Sequence, residues 1–213
     1  FLEEGAKVVV TYRQQEELDA LKKAVGGKDR ALEAYRVEVT DEAAVGELME
    51  KIVAQHGRLD VMVNTVGGYA GGTKLWEMDT RVFEQMVALN LRSGYALGRA
   101  AARAMLKQGG GAIVNVASKA AVDHARGAAA YAASKAAAVA LMDSLAADLK
   151  GSGVRVNSVL PSIIDTEANR KAMPNADFAI WPKPGEIAQV ILFLSSEQAK
   201  VIQGAAIPVY GDS

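Results

Sequence analysis

The stretch FLEEGAKVVVTYRQ (residues 1–14) carries the end of one structural element and the whole of the next. FLEEGA reads as the last turn of a helix stopped at Gly5, because glycine tolerates the left-handed backbone of a helix C-terminus. KVVVT (7–11) then reads as a strand whose β-branched run leaves no polar face, the pattern of a strand covered on both sides. A helix running into such a strand is the unit from which parallel sheets are built.

Outward from that unit the same rhythm continues. Strand-like runs fall at ALEAYRV (31–37), VMVN (61–64), AIVNVA (112–117), VRVNSVL (154–160) and AIPV (206–209). Amphipathic or Ala-rich runs separate them near 14–25, 42–56, 80–108, 128–150 and 186–195. This alternation predicts an α/β, doubly wound parallel sheet in a single domain, 1–213. Neither a low-complexity linker nor a fixed-period repeat interrupts it. The one long irregular stretch, Pro161 to Pro184, holds four of the five prolines and reads as a lid or binding element.

Composition narrows the function. With 213 residues, half of them apolar, and a formal charge of −1, the chain supports one sizeable core and lacks the basic surplus of a nucleic-acid binder. No apolar run approaches the roughly 20 residues of a membrane helix. The absence of Cys excludes disulfides, thiol nucleophiles and Cys metal sites. His56 and His124 are far apart and have no ligand-like neighbours, so no metal is expected. No signal-like segment is visible, and the expected location is cytoplasmic.

In AAAYAASKAAAVAL (128–141), Tyr131 and Lys135 stand one helical turn apart and share a face. With six Tyr in the chain, that pair alone proves little. Three neighbours give it weight. Ser118 falls just past AIVNVA, at the carboxyl edge where open α/β sheets bind ligands, and VRVNSVLPS reaches the same edge at Pro161. Asn90 is polar in the middle of a long helical run with an apolar face.

Reducing a carbonyl requires a hydride donor at carbon and a proton donor at oxygen. A free Tyr holds its proton up to a pKa of about 10, and an ammonium one turn away favours the phenolate. Tyr131 is thus the candidate general acid/base, Lys135 its electrostatic partner, and Ser118 a donor to the developing oxyanion. Each has a plainer reading. Asn90 could bond a carbonyl freed at a helix kink, and Ser118 could open a helical turn. Lys119 reads as a solvated loop charge, and His124 as a loop or interface residue.

The ordered set Asn90, Ser118, Tyr131 and Lys135, with thirteen residues from Ser to Tyr, resembles the short-chain dehydrogenase/reductase family. The likeness is to its members similar to 3-oxoacyl-acyl-carrier-protein reductase, and it runs from Phe1 to about Gly211. The resemblance implies that Lys135 also bonds the nicotinamide ribose and that Asn90 holds a water linking Lys135 to solvent. LDVMVNTVGG (59–68) matches the family's fourth-strand motif in part. Asn64 and Gly67 fit, whereas Thr65 and Val66 replace Asn and Ala, and Val66 is expected to crowd the cofactor. Glu38 and Val39 match the adenine-contacting pair. Pro161-Ser162 stands where Pro-Gly is preferred beside the nicotinamide, and Ile164 and Thr166 match the positions that hold the carboxamide.

Cofactor choice rests on the residues just past KVVVT. An acid at that strand tip serves the ribose of NAD, and a cation serves the extra phosphate of NADP. The chain reads Thr11-Tyr12-Arg13, so NADP(H) is expected, with NAD(H) the alternative and an Arg13–Glu17 surface pair the plain reading of the arginine.

By resemblance the family opens with a strand, a TGxxxGIG-type turn and a helix, and FLEEGA matches that helix end. About 25 such residues are expected ahead of Phe1, their strand lying mid-sheet between the second and fourth of the strands read above. GGYAGG (67–72) and GGG (109–111) stand in the wrong units to replace the turn. The expected function is an NADP(H)-dependent reductase interconverting a carbonyl and an alcohol of a small-molecule substrate. The alternative is a non-catalytic relative, a scaffold or regulatory binder without the phosphate cradle. By resemblance the chain forms a homodimer or homotetramer through the Ala-rich 128–150 helix and QGAAIPVYGDS. Met173, Phe178, Ile180 and Trp181 are candidate pocket walls or lid packing, with Arg170 and Lys171 as candidate anion contacts.

Overall fold

Gly5 stops the opening turn as expected. It sits at φ +80°, its N–H reaches the Leu2 carbonyl at 3.1 Å, and the Ala6 N–H reaches that of Phe1 at 3.1 Å. These paired bonds are those of a helix closed by a left-handed glycine. The computed structural model describes residues 1–26 and 31–213.

Six strands occur in order: β1 (Val8–Tyr12), β2 (Leu32–Arg36), β3 (Val61–Asn64), β4 (Gly111–Val116), β5 (Val154–Pro161) and β6 (Ala206–Val209). The helices are α1 (Gln15–Val25), α2 (Glu42–His56), α3 (Thr80–Val87), α4 (Ser93–Gln108), α5 (Ala129–Asp148), α6 (Glu167–Ala172) and α7 (Pro184–Ser195). All pairings are parallel, but they form two ladders, β1-β2 and β3-β4-β5-β6, where the alternation predicts one. No described strand bonds either β1 or β2 to the four-stranded sheet.

Alternation along β4 shows why the sheet is doubly wound. Ile113 points into a core built from Val45, Leu48 and Ile52 of α2, Leu97 and Met105 of α4, and Met142 of α5. Its neighbour Val114 points the other way, onto Ile187, Ile191 and Leu194 of α7. Successive side chains of a strand face opposite sides, so a run apolar at every position needs helices on both. Val9, Tyr35 and Val37 pack on the first core, which holds the β1-β2 ladder to the body without shared strand bonds.

Two expected elements differ. The run 80–108 is not one helix: a π-turn, Ala88–Arg92, separates α3 from α4. The wider turn frees a carbonyl, and Ser93 Oγ donates to Leu89 O at 2.6 Å to satisfy it. The stretch 161–184 is not wholly irregular. Thr166 Oγ1 accepts from the Asn169 N–H at 3.2 Å and caps α6, and a 3-10 turn spans Phe178–Ile180. Trp181 is buried, with the Phe178 ring 5.0 Å from its own. The Asp212 N–H reaches Ile180 O at 3.0 Å and anchors this segment. No described helix is long and apolar enough to cross a membrane.

Candidate active site

Tyr131 lies in the first turn of α5, and four residues on the same helix carries Lys135 beneath it. Strand β4 ends beside them, and Ser118 caps the turn just past it, its Oγ accepting from the Ala120 N–H at 3.1 Å. The Ser118 hydroxyl stands near enough to the Tyr131 phenol to favour its ionised form. The capping bond is the plain reading of Ser118, a residue that opens a helical turn.

The electrostatics differ from the expectation that Lys135 lowers the Tyr131 pKa. Burial raises the phenol, the Ser118 hydroxyl opposes it, and the neighbouring Tyr69 adds to the rise, leaving Tyr131 above its ordinary value. Lys135 gives its Nζ proton to Val116 O at 3.1 Å. It is 6 % exposed, and burial lowers its pKa to about 8. With its Nζ turned to a backbone carbonyl, Lys135 is not among the groups that shift the phenol.

Asn90 sits in the π-turn, 2 % exposed, and its amide crosses to the loop after β3 while also meeting Met86 Sδ one turn back at 3.7 Å. Oδ1 accepts from the Gly68 N–H at 2.9 Å, while Nδ2 donates to Gly68 O and to Ser134 Oγ, each at 3.0 Å. The kink is present, but the bonded carbonyl belongs to another segment. Ser134 closes the set by donating to Tyr131 O at 2.8 Å. Sequence reasoning did not single out Ser134, although three residues from Tyr131 on a helix puts it on an adjoining face.

The cofactor positions divide. A Cβ on Gly67 would lie 2.9 Å from Asn90 Oδ1 and 3.0 Å from Lys135 Nζ, so a side chain here would have to displace the Asn90 amide and the Lys135 amine. Asn64 is buried and structural: Nδ2 donates to Asn115 Oδ1 at 2.9 Å, and Oδ1 accepts from the Val66 N–H at 3.1 Å. Val66 packs toward the α2/α4 core. Glu38 is held below the usual carboxylate range by bonds from Thr40 and, to a smaller degree, by the charge of Arg13. Arg13 thus stands near Glu38 at the tips of β1 and β2, and Glu17 instead takes the Gln14 N–H at 3.5 Å. Val39 turns its side chain into the core. Tyr12, half-buried at the end of β1, accepts the Val37 N–H on its carbonyl at 3.3 Å.

On the far side Pro161 is buried at the end of β5. Ser162 Oγ donates to Tyr210 O at 2.6 Å and accepts from Ser213 Oγ at 2.7 Å, so its side chain serves the C-terminal segment. Ile164 O accepts from Asn169 Nδ2 and from the Thr166 N–H, each at 2.8 Å, which ties Ile164 and Thr166 to α6. The expected anion contacts are already neutralised: Arg170 forks onto Asp165 at 2.5 and 2.8 Å, and Lys171 meets Glu167 at 2.7 Å. Lys119 lies 3.7 Å from Asp123 and over the Tyr210 ring, and His124 is exposed.

A nicotinamide cofactor fits these residues at two ends. Gly67 keeps the backbone clear beside Lys135 and Asn90, and an exposed Arg13 stands at the β1 tip, where a ribose or its phosphate would lie.

Known proteins agree with this geometry. The short chain dehydrogenase family model matches residues 1–177. The chain is 33% identical to a 3-oxoacyl-(acyl-carrier-protein) reductase of Thermotoga maritima, covering 99% of this chain and 89% of that protein. It is also 33% identical to a D-threitol dehydrogenase of Mycolicibacterium smegmatis, over 97% of this chain and 83% of that one. The solved structure of ElxO with NADP bound superposes with a TM-score of 0.92 at 28% identity, covering 99% of this chain and 90% of that one. This chain therefore belongs to the short-chain dehydrogenase/reductases, nicotinamide-dependent oxidoreductases that interconvert a carbonyl and an alcohol by hydride transfer.

Proposed function

We propose that this chain is an NADP(H)-preferring reductase of small-molecule carbonyls, with Tyr131 as its proton donor. The observation that carries the reading is the placing of Tyr131 in the first turn of α5, with the Ser118 hydroxyl near it and the buried Lys135 one turn on. It joins the three side-chain types the chemistry asks for at one edge of the sheet. When bound, NADPH supplies the hydride to the carbonyl carbon. Tyr131 gives its proton to the carbonyl oxygen, and its raised pKa keeps that proton in place until charge develops there. Ser118 stabilises the developing oxyanion and, afterwards, the phenolate.

Lys135 has a second task. Substrate and cofactor close the site, and Lys135 can then leave Val116 O to bond the ribose hydroxyls and stabilise the phenolate as a cation. Asn90 supports the proton path by fixing the loop beside Lys135 and the first turn of α5 through Ser134. Gly67, Glu38, Val39, Tyr12, Pro161, Ile164 and Thr166 bound the cofactor, with Ser162 acting through the C-terminal segment. The test is NADPH oxidation with a panel of ketones and quinones. Absence of turnover, together with absence of NADPH binding, would favour the scaffold reading.

Arg13 supports NADP(H). The bound NADP of the ElxO structure, at 28% identity, agrees with that choice. Losing one charge-assisted contact costs about tenfold. Arg13→Ala is therefore expected to lower the NADPH-over-NADH ratio of kcat/KM by about tenfold. An unchanged ratio removes Arg13 from cofactor selection.

We also propose a cytoplasmic homodimer or homotetramer. Ala133, Ala140 and Ala147 are exposed at seven-residue spacing along α5, a stripe small enough for a second helix to approach closely. Sedimentation of the wild-type protein is expected to give a dimer or larger, and Ala140→Glu to shift it toward monomer. A wild-type monomer at micromolar concentration rejects the assembly.

A further inference from the structure

GGYAGG (67–72) does not form the phosphate turn, yet its glycines have structural reasons of their own. Gly68 is gripped on both its N–H and its carbonyl by Asn90. The Gly72 N–H donates to Gly127 O at 3.0 Å, and a Cβ on Gly127 would lie 3.3 Å from the Gly72 backbone. Between those two fixed points stands Tyr69. Its ring meets that of Tyr131 edge to face, centroids 5.0 Å apart and planes at 78°. Its hydroxyl end folds back over Gly71, where a Cβ would lie 2.2 Å from the Tyr69 oxygen. Only a residue without a side chain at 71 leaves room for the ring in this position.

So placed, Tyr69 remains 70 % exposed. An exposed Tyr is ordinary on a protein surface. One held by a glycine and a doubly anchored loop against the proton donor is preorganised, and preorganisation lowers the entropy cost of whatever packs on it. The chemistry of the mouth narrows the ligand. Lys119, Arg170 and Lys171 each meet a carboxylate of their own, so these cations are not held ready for an anionic group. Ring faces favour flat partners in offset or edge-on contact.

We propose that Tyr69 is a specificity-determining residue that packs against an uncharged aryl or conjugated group attached to the substrate carbonyl. This inference rests on the reading of Tyr131 as proton donor. Acetophenone and butan-2-one serve as probes, one with such a group and one without.

Tyr69→Ala is expected to lower the ratio of kcat/KM for acetophenone over butan-2-one about five- to tenfold, chiefly through the KM for acetophenone. Tyr69→Phe keeps the wild-type ratio. Gly71→Ala behaves like Tyr69→Ala, because its Cβ and the ring cannot share the space. An unchanged ratio in Tyr69→Ala overturns the proposal, as does a Gly71→Ala protein that behaves as wild type. Binding separates this from the parent reading. Acetophenone binding to Tyr131→Phe protein, with and without Tyr69→Ala, is measured by ligand-observed NMR. Binding that Tyr69→Ala weakens upholds the role of Tyr69 even if the wild type reduces neither ketone, in which case the reductase reading alone fails. Binding that is absent, or indifferent to Tyr69→Ala, ends the proposal whatever the turnover.

Discussion

Replacing Tyr131 by Phe lowers kcat for ketone reduction by about 10²–10⁴-fold, the usual contribution of a positioned proton donor. The variant keeps its fold, because only the hydroxyl is lost and the ring remains against Tyr69. Its stability is expected to change by less than about 1 kcal/mol, the net worth of one hydrogen bond. NADPH affinity should stay within a few fold, read as cofactor fluorescence on titration. A selective loss of kcat with cofactor binding intact identifies Tyr131 as the acid. Turnover within about tenfold of wild type would mean that the carbonyl oxygen draws its proton from another group.

Lys135→Met, by contrast, should remove activity and raise stability. A Lys whose pKa falls to about 8 on folding is more readily protonated unfolded than folded. Between about 8 and the ordinary Lys value the unfolded chain therefore holds more protons, and wild-type stability rises with pH across that window. Below about 8 both states are protonated and the full penalty of the buried charge is present. That penalty is about 3 kcal/mol, and about 1 kcal/mol is returned by the bond to Val116 O. The Met variant is thus expected to gain about 2 kcal/mol at pH 7, or roughly 4–8 °C in Tm. The gain should shrink toward pH 10. Thermal unfolding of both proteins at pH 7 and pH 9.5 decides it: a Met variant less stable than wild type at pH 7 contradicts the burial argument.

The opposite signs of these two outcomes express one design. On the reading proposed above, Lys135 is held where burial costs stability because a cation serves there once substrate and cofactor close the site. Burial of the phenol itself raises its pKa, so Tyr131 starts protonated. That is the state a reductase requires.

Much of this was legible in the residues. Helix 42–56 has its expected bounds because Asp41 accepts the Ala43 and Ala44 N–H groups at one end and Gly57 takes the left-handed stop at the other. Both signals act within a few residues, and local chemistry is what a sequence displays directly. The Tyr131–Lys135 pair is legible for the same reason, since four residues on a helix share a face whatever surrounds them. The strand-helix rhythm likewise set the fold class, because a β-branched run cannot be buried on both faces without helices to cover it.

What the tertiary structure alone decided lies in contacts distant along the chain. Asn90 was marked by its polarity, but its partner Gly68 is 22 residues away, and no periodicity announces it. The π-turn that aims Asn90 there, in a run otherwise read as one helix, exists because packing on two sides rewards the bend. Ser162 stands where the family prefers glycine, and its hydroxyl bonds the C-terminal segment, 48 residues on. Tyr69 in a glycine-rich loop carried no pattern at all. Its place against Tyr131 depends on a missing side chain at Gly71 and on bonds to Gly127 and the π-turn, and only the folded chain brings those together. Sequence by itself thus determined the elements and the chemistry on a single helix, where the physics is short-ranged. The protonation states and the shape of the site were left to burial, which belongs to the assembled fold.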